Sequence, residues 1–472
     1  MNKEDICFMS AYDLREKIKT QELSSSEITE TIIERIEKIN PIINAYCTPT
    51  FDWARETAKN ADEAVKKGEK LGILHGIPTS VKDEMPMKGI RTTFGSKLYE
   101  NNIPEEDDAC VERLKDAGVV ILGKTNMSPF GFISVTNNLV FGETRNPWNL
   151  ERTSGGSSGG AAASIASGLG YLALAADGGG SIRTPSCLCG VYGIKPSFGR
   201  VPVYPVLGVH LESLIHYGPI VRYVKDAALM LDAIKGPHYG DMYSLPDQNI
   251  NYLEKLEEKP KQLKIGYSQD LGFAKVIDSE VKAKFLNSVQ KFEEFGWSVE
   301  PAKFKIRNPE RMLLTYHTVL YGYDLGSKLK EWKENMHPDL VKAVEAGVEA
   351  TGGDFARTIA RRKIIFEKFH QYFKNYDLLL TPTTGLPAFE LGISFPSKID
   401  GKIVSPMAWQ PFSAAFNLTG LPAASVPCGW SSEGLPIGLQ IVGKRFDDLT
   451  VLQVSKAFEE IAPWQDKRPK FN

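Results

Sequence analysis

Between Thr153 and Pro196 a serine- and glycine-rich loop (TSGGSSGG), a small-residue segment (AAASIASGLGYLALAA) and a second glycine run (DGGGSIRTPS) form one block. Few cores need this much glycine. Glycine lets the backbone take φ > 0 and approach another group closely, at an entropic cost. A merely structural segment is not expected to bear that cost twice in so short a span. The block therefore predicts a site, and the rest of the chain must deliver partners to it.

At 472 residues the chain exceeds the usual length of one hydrophobic core, so two or three domains or one large α/β layer structure are expected. Apolar residues make up 42% and charged residues 24%, ordinary for a soluble globular enzyme. A net charge of −2 gives no basic footprint, which argues against nucleic acid as the main ligand. The six cysteines are scattered like reduced thiols of a cytosolic protein. The charged start MNKEDICFMS does not suit a secretory signal, and no run has the roughly 18 apolar residues of a membrane span. The expected location is cytoplasmic.

Ser10 with Asp13 predicts a capped helix over 11–20, and Ser24–Ser26 a second one to Asn40, stopped by Pro41. In Gly72–Asp83, GILHGIPTSVKD, apolar residues around Ile77 and Val81 predict a strand that ends on Lys82. A buried lysine has its pKa lowered because desolvation disfavours the charge, and it could then act as a base. The plainer alternative is that Lys82 snorkels to water beside Asp83 and Glu84.

Two familiar patterns occur by accident. Gly118, Gly123, Lys124 and Thr125 satisfy the phosphate-loop pattern GxxxxGKT, but the intervening VVIL reads as the strand itself. Gly156, Ser158 and Gly160 satisfy GxSxG, but that elbow needs a preceding strand, and RNPWNLER reads as a connecting loop. None of the seven histidines has a recognisable catalytic context. In the second glycine run, by contrast, extended Ala173–Ala176 leads into Asp177, Gly178, Gly179, Gly180 and Ser181. Consecutive N–H groups there suit an oxyanion formed when Ser181 attacks a carbonyl. Its base remains open between another hydroxyl and a neutral lysine.

The block from Gly155 to Pro185 resembles the signature of the amidase signature family throughout, including both serine-glycine clusters and their spacing. The resemblance extends to GIPTSVKD at 76–83, GKTN at 123–126, GIKPSFGRVP at 193–202, and NLTGLPAASVP with GLPIGLQIVG near the C-terminus. It implies Ser181 as nucleophile, Ser157 in a cis peptide as proton relay and Lys82 as base. It also implies an oxyanion hole from the N–H groups of Gly178, Gly179, Gly180 and Ser181. The implied reaction is amide hydrolysis through an acyl-enzyme, releasing a carboxylic acid and an amine or ammonia, with no metal or organic cofactor. The implied fold is α/β, a mixed central sheet covered by helices on both faces, as one domain over 1–472 with a variable helical region at about 240–370 near the active site. DGGGSIR is similar to the branch that includes 6-aminohexanoate cyclic-dimer hydrolases.

Ser158 reads as a loop hydroxyl bonding backbone, Asp177 and Arg183 as an ion pair fixing the nest, and Cys187 and Cys189 as buried small residues. Pro129 and Ser154 depart from the family pattern. For the substrate pocket Met127, Phe130, Trp409 and Phe412 are the candidates, although an aromatic stripe at near-helical spacing also suits a core. The lack of arginine between Arg362 and Arg445 argues against a clamp for a free α-carboxylate. The expected partner is a small-molecule amide, with a homodimer allowed and neither nucleic acid nor membrane. Two alternatives are the glutaminase component of a tRNA-dependent amidotransferase and a silent binding protein of the same fold.

Overall fold

The computed structural model describes residues 2–206, 208 and 211–471. Its centre is an eleven-stranded sheet. Across the sheet the strands run 46–49, 120–125, 78–82, 172–176, 217–221, 192–195, 423–430, 436–443, 378–382, 264–267 and 298–301. The sheet is mixed in an ordered way. Pro78–Lys82 is parallel to both of its neighbours, Val120–Thr125 and Leu172–Ala176, and Lys264–Tyr267 is parallel to both of its own. The strands between are antiparallel. Helices pack against this sheet, as expected for an α/β layer structure.

The register places the chemistry. Thr79 pairs with Leu172, Ser80 with Ala173 and Val81 with Leu174. Lys82 and Asp177 therefore leave the sheet at the same edge, from adjacent parallel strands. Both strands are buried at every position, as expected of strands covered on both faces. Gly159–Ala166, the helix feeding the second strand, is also buried at every residue, which explains its run of glycine and alanine.

Three local expectations change. The second helix spans Ser25–Ile43 and contains Pro41. Proline in the last turn forfeits one backbone bond, while Ile39 and Ile43 on either side of it are buried in the core. Asn44 then ends the helix in the left-handed region, at φ 53°. RNPWNLER is a hairpin rather than a connecting loop, Arg145–Asn146 against Asn149–Thr153. It is turned by Asn146, whose side chain accepts from Trp148 N at 3.0 Å. The 240–370 region is not wholly helical, because Lys264–Tyr267 and Ser298–Pro301 extend the sheet. Its helices Glu310–Leu325, Pro338–Val348 and Gly352–Tyr372 follow. Gly347 lets the first two approach: a Cβ there would lie 1.7 Å from the Thr318 carbonyl oxygen. Among the described residues no helix is long and apolar enough to cross a membrane.

Candidate active site

Lys82 ends its strand with a side chain 1% exposed. Its Nζ donates to Ser157 Oγ at 2.7 Å and lies 3.0 Å from Glu84 Oε2. Burial pulls the Lys82 pKa down, and the Glu84 carboxylate, with a smaller contribution from Asp177, works against it. The snorkelling alternative fails on burial but survives in part, since Glu84 does accompany the ammonium.

Ser157 follows a cis Gly156–Ser157 peptide and is itself buried. Its loop is clamped by close packing: a Cβ on Gly156 would meet Val135 backbone at 2.7 Å. Thr136 Oγ1 donates to the Gly155 carbonyl and accepts from Gly159 N, both at 2.9 Å. Both departures from the family pattern sit on this frame. Ser154 Oγ donates to the Thr144 carbonyl at 3.0 Å. Pro129, with its fixed φ, opens the short turn Pro129–Gly131 that brings Gly131 against Ser157. A Cβ on Gly131 would sit 3.4 Å from Ser157 Oγ and 3.5 Å from Glu84 Oε2.

The second glycine run is held by a buried ion pair. Asp177 and Arg183 are both 0% exposed and 3.0 Å apart. Asp177 accepts from Gly180 N at 2.7 Å, Ile182 N at 3.2 Å and Asn417 Nδ2 at 2.8 Å. Arg183 donates onward to Gln440 Oε1 and Asn417 Oδ1, each at 2.7 Å. Burial alone would raise the Asp177 carboxyl, but Arg183, Lys195 and Asn417 hold it well below the usual range. The anchoring role read for this pair matches the geometry. It also qualifies the nest, because the Gly180 N–H points at the Asp177 carboxylate and Gly180 is a turn-former at φ 136°. Ser158 Oγ donates to the Ala176 carbonyl at 3.2 Å, as expected of a loop hydroxyl. Cys187 and Cys189 are buried, and their sulfurs meet Thr384 Oγ1 and the Ser154 carbonyl, respectively.

Ser181 and Gly179 open onto a cavity of about 300 Å³. Phe132, Ile133, Leu313, Leu314, Met407 and Trp409 supply much of its apolar wall. Of the four pocket candidates, Trp409 lines this cavity. Phe130 lines a smaller neighbouring one of about 110 Å³, together with Glu84 and Phe94. Met127 and Phe412 are corrected: neither lines this cavity, and Phe412 belongs to a core cluster with Leu379, Ala415 and Phe416. Met127 is enclosed beneath the turn, where Asn138 Nδ2 donates to its carbonyl. Near-helical spacing gave Phe412 and Trp409 equal claims, and the packing separates them: Phe412 joins the cluster with Leu379 and Phe416, whereas Trp409 lines the cavity.

Sequence reasoning missed two residues. Glu84 stood in view as the neighbour of Lys82. His317 lines the Ser181 cavity, and its spacing from Leu313 and Leu314 puts all three on one helical face. Burial pulls the His317 pKa down to about 4, so the ring is neutral near pH 7.

A strand-end lysine is thus bonded to a loop serine, and a glycine turn presents a second serine to a largely apolar cavity. Residues 27–452 match the family model described as Amidase. One glutamyl-tRNA(Gln) amidotransferase component, from Carboxydothermus hydrogenoformans, is 37% identical over 99% of this chain and 100% of its own length. An acylamidase of Rhodococcus erythropolis is 35% identical over 99% and 98%. Among solved structures, a bacterial aryl acylamidase superposes with a TM-score of 0.91 at 30% identity, covering 97% of each chain. A 6-aminohexanoate cyclic dimer hydrolase in complex with substrate gives 0.88 at 28%, covering 98% and 99%. The chain belongs to the Amidase family, whose members act on carbon–nitrogen bonds.

Proposed function

We propose that this protein hydrolyses small amides through a Lys82–Ser157–Ser181 relay and an acyl-enzyme on Ser181. The 2.7 Å contact between the buried Lys82 Nζ and Ser157 Oγ carries the reading. Neutral Lys82 takes the Ser157 proton while Ser157 takes that of Ser181, whose Oγ bonds to the amide carbonyl carbon. The oxyanion is met by N–H groups of Gly178, Gly179 and Ser181, with Gly180 kept to its bond with Asp177. The proton returns through the relay to the leaving nitrogen as the C–N bond breaks. Water then attacks the acyl-enzyme by the reverse relay and releases the acid. The protein acts in the cytoplasm as one domain, alone or as a homodimer.

The apolar cavity favours a stand-alone amidase for acyl groups with aliphatic or aryl character. Among the described residues its one lining lysine, Lys342, points largely to solvent and lies 3.3 Å from Asp339, a poor clamp for an α-carboxylate. The similarity to the amidotransferase component supports a second reading, a glutaminase that hands ammonia to a partner. A panel of aliphatic, aryl and cyclic amides plus glutamine, assayed with wild type and Ser181→Ala, tests both. Hydrolysis of apolar amides is expected, falling at least about 10⁴-fold on substitution. Turnover that survives Ser181→Ala refutes the relay, and activity confined to glutamine favours the second reading.

A further inference from the structure

The backbone N–H groups of Gly178, Gly179 and Ser181 find no acceptor among the described residues, while that of Gly180 is taken by Asp177. An N–H stabilises an oxyanion well only if it is aimed beforehand. The Asp177–Gly178 peptide is trans, so its carbonyl and the Gly178 N–H leave opposite edges of one plane. Whatever grips the Asp177 carbonyl therefore sets the direction of that N–H. For Ser181 the grip is local, since Thr184 N donates to the Gly180 carbonyl at 2.7 Å.

For Gly178 the grip comes from far along the chain. Asn417 is 0% exposed on the helix Ala414–Thr419, and its Nδ2 donates to the Asp177 carbonyl and to Asp177 Oδ1, both at 2.8 Å. Longer bonds run from Nδ2 to the Leu214 carbonyl at 3.3 Å and from His216 N to the Asp177 carbonyl at 3.2 Å. The amide has one orientation here, because Arg183 Nη2 can only donate and meets Oδ1 at 2.7 Å, which leaves Nδ2 for the acceptors. Its two shortest donated bonds thus fall on the one residue that opens the nest. We propose that Asn417 is a positioning residue for the reaction: by holding the Asp177 carbonyl it aims the Gly178 N–H at the oxyanion that forms when Ser181 attacks. This rests on the hydrolase reading above and adds to it a residue that touches neither the substrate nor the reacting atoms.

Gln440 supplies the control. Like Asn417 it is 0% exposed and accepts from Arg183 at 2.7 Å, but its Nε2 donates to Thr381 Oγ1 and the Phe412 carbonyl instead of the nest. Asn417→Leu and Gln440→Met each delete one acceptor of Arg183, and only the first frees the Asp177 carbonyl. With an acyl anilide as substrate, Asn417→Leu is expected to lower kcat roughly 10- to 100-fold at nearly constant KM, and Gln440→Met less than about 3-fold. A trifluoromethyl ketone analogue, whose carbonyl carbon bonds to Ser181 Oγ and leaves an oxyanion, should lose affinity in Asn417→Leu by a similar factor. The corresponding alcohol forms no adduct and should bind as it does to wild type. Equal losses of kcat in the two variants, or equal losses of ketone and alcohol binding, overturn the proposal. In the unaltered protein labelled with 15N-glycine, the Gly178 amide proton should move downfield when the ketone adds. An unmoved Gly178 signal overturns the proposal whether or not either variant folds. Absence of Ser181-dependent turnover with every amide overturns the hydrolase reading and this inference together, whereas Ser181-dependent turnover that the two variants lower equally overturns the inference alone.

Discussion

The floor and the wall of the Ser181 cavity are built on different principles. The floor consists of strand ends and tight loops, where Lys82, Ser157, Asp177 and Arg183 are each at most 1% exposed and form two directly hydrogen-bonded pairs, Lys82–Ser157 and Arg183–Asp177. The wall comes from the helices Glu310–Leu325 and Pro338–Val348, whose cavity-facing residues include Leu314 and Ala343 and whose outer residues reach solvent at Glu345. A satisfied polar network in a low-dielectric site is rigid and intolerant of single deletions. An apolar helical face tolerates change in volume and shape. Reaction chemistry on the floor and substrate choice on the wall are therefore separable by mutation.

The strongest way to break the contrast is Arg183→Met, which leaves Asp177 as an unpaired buried carboxylate. Loss of about 3–5 kcal/mol of stability is expected, read as a lower urea midpoint. A change under about 1 kcal/mol would mean that the floor is as forgiving as the wall. Next comes Leu314→Ala, which enlarges the cavity from the half-buried wall. The ratio of kcat/KM between long and short acyl chains should move roughly 10-fold toward the longer, with the urea midpoint nearly fixed. An unchanged ratio would take the helix out of substrate selection.

Glu84→Gln sharpens the contrast with the smallest effect. In the proposed relay Lys82 works as a base when neutral, so kcat/KM is expected to fall as pH drops through its pKa. Glu84 holds that pKa up against burial, so removing its charge should carry the acidic limb of the pH–rate profile to lower pH. A shift to higher pH would contradict the electrostatic role of the contact.

The same contrast explains what could be read in advance. Lys82, Ser157 and Ser181 stand in local motifs whose residue types are dictated by chemistry and close backbone approach. Gly156 leaves no room for a side chain beside Val135, and a pattern of that kind survives in one dimension. The Asp177–Arg183 pair was legible for the same reason. Wall residues carry no such signature. Met127 and Phe412 have the same apolar character as Trp409, and only tertiary packing decides which of them faces the cavity. His317 is equally unmarked, because its helix mixes tyrosines, leucines and threonines and no glycine or serine motif stands beside it in the chain. The pairing order of the sheet, with parallel and antiparallel pairs in one layer, is set by contacts remote in the chain, which hydrophobic periodicity does not encode.

The parallel pairing of Val81 with Leu174 has a further consequence. The base and the nest share an edge only because two distant stretches close a loop around everything between them, including the Ser157 turn. Such non-local closure is slow to form in folding. Every piece of the relay lies within that loop or at its rim, so a nascent or truncated chain lacking the second strand has no partial hydrolytic centre. On the proposed relay, hydrolytic competence therefore depends on that strand pairing, and not on the active-site loops alone.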